Sequence, residues 1–281
     1  MTSTSSPRRD PAPEVGRRWY RRRGVIIAAL AALVLIAVAV GLLWWYLRDD
    51  APDAVDLETA AESIETTVAP PDATAAPDAT AAAGETTVAG AAESGGAISG
   101  SWAVDTSIGE FSFEDSTGTF VGFRIDEELT GIGATTAVGR TPSVTGTITF
   151  DGTTLTSADI EADMTEIVTN ESRRDGRVQS ALGTSEFPTA TFTLTEPIDL
   201  GEAMTSGTPV SVQAVGDLTI HGVTTPVSFP LDAQVVGDTI VVVGSLDIEL
   251  STYGVEAPSA PIVVSVSDEA TIELQLFFSQ A

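Results

Sequence analysis

The sequence has no cysteine, no lysine and a single histidine, His221. Without cysteine there are no disulfides, no thiolate metal sites, no cysteine nucleophile and no lipid-modified cysteine at a lipobox. One histidine cannot build a histidine metal cluster. No Gly-x-Ser-x-Gly elbow accompanies it, so Ser-His-Asp catalysis has no recognisable nucleophile. No EF-hand spacing supports Ca²⁺ binding at acidic runs such as Asp126-Glu127-Glu128. No metal, cofactor or catalytic residue is therefore expected, and the chain reads as a non-enzyme. Basic charge is scarce as well: 13 arginines stand against 40 carboxylates, for a net charge of −27. That balance opposes nucleic-acid binding and close approach of an acidic surface to anionic headgroups. It does favour solubility.

What basic charge there is lies mostly at one end. Seven arginines, Arg8, Arg9, Arg17, Arg18, Arg21, Arg22 and Arg23, precede the run Gly24 to Leu47, whose 24 residues carry no charge. At about 1.5 Å per residue such a helix is roughly 36 Å long, enough for a hydrocarbon core of about 30 Å with some tilt. The arginine excess before it predicts a cytoplasmic N-terminus and an extracytoplasmic C-terminal part. Trp44, Trp45 and Tyr46 at the exit suit the headgroup region. A cleaved signal peptide is the competing reading. Its apolar core would be shorter and followed by small residues, whereas this exit reads WWYLRDDAPD, which favours an uncleaved signal anchor. The expected organisation is a cytoplasmic tail over 1–23, a transmembrane helix over 24–47, a linker over 48–99 and a folded domain over 100–281.

The linker is dominated by Ala, Thr, Pro, Gly, Asp and Glu and has no aromatic residue. PDATAA occurs in tandem from Pro71 and Pro77, and ETTVA occurs at Glu65 and Glu85. Such composition predicts a disordered or extended spacer, with clustered threonines as candidate O-glycosylation sites.

Beyond the linker the pattern changes to alternation with period two, the signature of half-buried strands. Val210, Val212, Ala214, Gly216, Leu218 and Ile220 share one face. Phe229, Leu231, Ala233 and Val235 do the same, as do Ile272, Leu274, Leu276 and Phe278. Turns at Asp151-Gly152, His221-Gly222 and Gly237-Asp238 separate the runs. About eight strands result, interrupted by a short helix and loop within Asn170 to Thr184. With every apolar face turned one way, a closed barrel or two packed sheets would share the interior. An outer-membrane barrel needs the opposite polarity. The small inward residues leave room for an apolar ligand.

Four segments resemble the YceI-like family: WAVD at Trp102 to Asp105, RRDGRVQS at Arg173 to Ser180 with EFPTATF at Glu186 to Phe192, GDLTIHGVTTPV at Gly216 to Val227, and SDEATIELQLFF at Ser267 to Phe278. The resemblance implies an all-β fold, an eight-stranded antiparallel lipocalin-like barrel with a long cavity for a polyisoprenoid or similar amphiphilic lipid, without catalysis. The chain departs from the family pattern in two places, Asp105 to Ile108 and Leu250 to Val255.

Candidate ligand-lining residues are Phe120, Phe123, Phe187 and Phe192, each also readable as plain core. Arg173, Arg174 and Arg177 are three of only five basic residues beyond Arg48. They are candidates for an anionic headgroup, or else for surface pairing with carboxylates. His221 reads as a turn residue or a headgroup contact at the cavity mouth. The expected function is a membrane-anchored extracytoplasmic lipid carrier or sequestering module. The alternative is a structural or protein-interaction module of the cell envelope without a small-molecule ligand.

Overall fold

The computed structural model describes residues 36–40, 51–68, 98–114, 117–258 and 261–281. Contacts divide the chain into two units, Met1–Asp49 and Asp50–Ala281. In the first, residues 36–40 are helical and exposed. The rest of the expected membrane helix and the cytoplasmic tail lie outside the described residues. Among the described residues no helix is long and apolar enough to cross a membrane.

In the second unit the described residues form twelve strands. The first six are β1 (Gly100–Val104), β2 (Phe120–Leu129), β3 (Gly133–Thr141), β4 (Val144–Asp151), β5 (Thr154–Asp163) and β6 (Val168–Thr169). The remaining six are β7 (Thr189–Leu194), β8 (Ile198–Asp199), β9 (Val210–Ile220), β10 (Val223–Val236), β11 (Thr239–Glu249) and β12 (Val263–Gln280). The helices are α1 (Leu57–Val68), α2 (Ser172–Ala181) and α3 (Gly201–Thr205).

Eight strands close a ring in the order β1, β4, β5, β7, β9, β10, β11, β12, sealed by pairing of β1 with β12. Every pairing is antiparallel. The eight-stranded barrel expected from the sequence is therefore formed. Closure removes the free edges that an open sheet would leave. The 18-residue β12 serves two neighbours: β2 along its first two-thirds, and β1 at Phe278 to Gln280. From β2 the sheet continues through β3 to β6, which accounts for strands beyond the expected eight.

The alternating apolar residues point inward as the pattern requires. Ala214, Phe229, Ala233, Ile240, Leu276 and Phe278 share one buried core with Ile148 and Ala158. One end of the barrel is plugged by Ile98, Trp102, Leu200 and by Met204 of α3; the Trp102 indole N–H donates to the Ile98 carbonyl at 2.8 Å. The other end is closed by the 3₁₀ turn Leu250–Tyr253, whose Leu250 and Tyr253 pack with Leu218 and Ile248. Beside that turn α2 buries Val178 against Ile167 and Phe123. The helix predicted within Asn170 to Thr184 is α2.

The linker departs from expectation. Within 48–99, residues 57–68 form α1 rather than a disordered spacer, and it lies on the outer wall of the barrel. The Asp56 carboxylate caps it, accepting from the Thr59 backbone N–H at 3.0 Å. Ala60 and Ile64, 1% and 4% exposed, pack with Val241, Val243 and Phe277. Those three are outward-facing apolar residues, and covering them stabilises the helix more than its weak composition would. Residues 69–97 lie outside the described residues.

Just before α1 the chain is strapped to the wall by buried charge. Arg124 donates to the Pro52 carbonyl at 2.7 Å, and Arg140 donates to the Asp53 carbonyl at 2.9 Å and the Phe113 carbonyl at 3.1 Å. Glu273 accepts from the Val55 N–H at 3.4 Å and lies 3.6 Å from both guanidinium groups. The Arg140 guanidinium also covers the Phe120 ring, 4.4 Å from its centroid. Burial pulls the Arg140 pKa down, and the Glu273 carboxylate opposes that shift.

Candidate functional site

Between the two plugs the barrel holds two adjoining chambers. The chamber nearer the Leu250–Tyr253 turn is bordered by Val121, Ala162, Ala190, Leu218, Leu246 and Ile272, and the other by Ile148, Phe150, Ala158, Met204, Val212 and Ile240. They share walls at Ile160, Phe192, Phe229, Leu274 and Leu276, and each has a cavity volume of about 70 Å³. The partition is an aromatic pair: the Phe192 and Phe229 rings meet edge to face, with centroids 5.5 Å apart and planes at 78°.

Backbone choices make that partition possible. Phe192 faces inward because β7 alternates Ala190, Phe192 and Leu194 on its inner side. Its ring lies over Gly216 of β9, where an added Cβ would come within 2.5 Å of the ring. A glycine in the middle of a strand weakens it but admits this close approach.

The lining is chemically simple. Thr191 and Ser245 border the first chamber, and every other lining residue is apolar or glycine. Such a space removes hydrocarbon from water and offers nothing to move a proton or hold a charge. Among the described residues no group of three or more His, Asp or Glu could hold a metal ion.

The eight residues singled out from the sequence do not converge. Phe192 lines both chambers. Phe120 points out of the barrel, fully buried beneath Arg140; the alternation of β2 puts Val121 and Phe123 inside and Phe120 outside. Phe123 packs with Ile167 and Val178, away from the chambers. Phe187 lies in the loop after α2 and meets His221 edge to face, with centroids 5.0 Å apart.

Arg173 is exposed and pairs with its neighbour Glu171 at 3.4 Å. Arg174 pairs with Glu127 and donates to the Asn170 side-chain oxygen at 3.0 Å. Arg177 is exposed on α2. None of the three borders a chamber. The surface-pairing alternative describes Arg173, while Arg174 joins β2 to α2 through a largely covered ion pair. His221 occupies a tight β9–β10 turn with φ of 51°, followed by Gly222 at 72°. Two successive left-handed residues are what a two-residue hairpin of this twist requires. Its Nδ1 lies 3.2 Å from the Tyr253 carbonyl oxygen, so the ring bridges the turn to the plug.

Pattern reading missed Phe229, Leu274 and Leu276 as site residues, although it placed all three on inward faces. Alternation marks a residue as interior; only the packing around it decides whether it borders filled or open space.

The YceI-like domain profile matches residues 112–278. Protein YceI of Escherichia coli O157:H7 is 33% identical over 122 residues, covering 42% of this chain and 56% of that protein. A UPF0312 protein of Vibrio vulnificus is 27% identical over 117 residues, covering 40% and 57%. The chain thus spans little more than half the length of these relatives. Among solved structures, a polyisoprenoid binding domain from Saccharophagus degradans superposes with a TM-score of 0.49 at 20% identity, covering 64% of this chain and 98% of that one. BcnA of Burkholderia cenocepacia gives 0.44 at 20% identity, covering 56% and 95%. With the profile matching more than half of its residues, the chain belongs to the YceI-like domain family.

Proposed function

We propose that the barrel binds a linear apolar molecule, an isoprenoid or acyl chain, threaded through both chambers past the Phe192–Phe229 partition. The carrying observation is the pair of apolar chambers in series, closed to charge along their whole length. Membership of the YceI-like family supports this reading. An extended chain fits two chambers in line better than a compact ligand does, and with the Thr191 and Ser245 side chains on the outward faces of their strands the lining suits a hydrocarbon stretch. The molecule acts as a carrier or sequestering module, without catalysis. Residues 24–47 anchor it, and the arginines before them hold the barrel on the extracytoplasmic side.

Residues 50–281, produced without detergent and extracted with organic solvent, provide the test by mass spectrometry. A chain-like lipid is expected to co-purify, and Ala158→Phe, which fills one chamber, is expected to lose it while remaining folded. No lipid in repeated preparations, together with no uptake of a fluorescent polyene fatty acid, overturns the reading.

A further inference from the structure

The strap changes what tethers the barrel. Five residue steps separate Leu47, the last residue of the apolar run, from Pro52, which is already hydrogen-bonded to Arg124. Fully extended, five steps span at most about 18 Å. The low-complexity stretch 69–97 contributes nothing to that distance, because Val68 before it and Ile98 after it both belong to the barrel unit.

The strap also has a direction. From Pro52 it passes Arg124, then Arg140 and Glu273, then reaches the wall at Phe277. Followed backwards it heads toward the end of the barrel where β2 turns into β3. Leu129, at that turn, lies about 17 Å beyond Arg124 along the strand. The turn carries exposed aliphatic side chains: Ile132 is 39% exposed, and Ile262 and Val264 at the start of β12 are 58% and 60% exposed. A hydrogen bond from the Thr130 N–H to the Ile262 carbonyl, at 2.7 Å, holds the two segments together as one tip. Asp126 and Glu128 stand behind the tip, both exposed.

We propose that this tip, Ile132, Ile262 and Val264, docks into the surface of a lipid bilayer. The occupant is the boundary between headgroups and acyl chains of a zwitterionic membrane. The apolar side chains suit that boundary, and the two carboxylates behind them oppose anionic headgroups. The proposal rests on residues 24–47 spanning the membrane, since the short connection is what brings the tip within reach. Docked in this way, the end of the barrel closed by the Leu250–Tyr253 turn faces the source of a lipid ligand.

The absence of cysteine allows single labels to test this. Full-length chain with Val264→Cys or Asp238→Cys, the latter on the β10–β11 turn at the opposite end, is dye-labelled and reconstituted into phosphatidylcholine vesicles carrying nitroxide-labelled lipid. The dye at 264 is expected to lose most of its fluorescence and the dye at 238 to keep it. Protein that resists alkaline carbonate extraction yet shows no quenching at 264, or equal quenching at both positions, overturns the docking and leaves the anchor standing. Protein removed by carbonate overturns the anchor and the docking with it.

Discussion

Glu273 holds a carboxylate oxygen 3.6 Å from the Arg140 guanidinium on the outer wall of the barrel, and each side chain is only 1% exposed. A buried pair contributes little net stability when both partners are present, but removing one leaves an uncompensated charge costing about 3–5 kcal/mol. Glu273→Leu is therefore expected to lower unfolding stability by about that amount in urea titrations. Hydrogen exchange in residues 57–64 should speed up as well, because Glu273 also holds the strap at Val55. Adding Arg140→Met should restore part of the stability, since it removes the stranded charge. A single variant as stable as the parent would show that the pair is not sealed from water.

The barrel was largely legible in the sequence, and the strap was not, for a physical reason. Inward alternation in β9, β10 and β12 is a local signal fixed by the pleat. Covering an outer wall is a relationship between distant segments. Two traces of it were nevertheless present. Val241, Val243 and Phe277 are apolar on the face that should have been polar, and Leu57, Ala60, Ala61 and Ile64 follow helical spacing within a polar linker. Each is weak alone, and together they describe a helix lying on the barrel. Of the cavity residues only Phe192 was legible, through its motif. Phe120 and Phe123 cannot both line the interior, because residues three apart on a strand lie on opposite faces.

The Phe192–Phe229 partition gives a second prediction. Phe192→Ala merges the chambers and removes the ring that lies over Gly216. Without ligand the loss should cost about 3–5 kcal/mol, the range for a large aromatic removed from a core. Bound chain should offset part of that cost by filling the space. The expected signature is a larger ligand-induced rise in melting temperature for Phe192→Ala than for the parent. An equal or smaller rise would mean that the ligand does not pass the partition.

Tyr253 gives a prediction in pH. It is 2% exposed in the plug between the barrel end and His221, and burial raises its pKa above the ordinary value. The ordinary value is about 10. A raised pKa in the folded state means that folding favours the neutral phenol. This contribution is complete below the unfolded value and is lost as pH rises through the folded one. Stability of residues 50–281 should therefore hold steady up to about pH 10 and fall above it, through local opening of the Leu250–Tyr253 turn. Tyr20 and Tyr46 precede this unit, so phenolate absorption reports Tyr253 alone. Tyr253→Phe should flatten the alkaline fall in denaturation midpoints. An unchanged fall in that variant would assign the alkaline loss to another group.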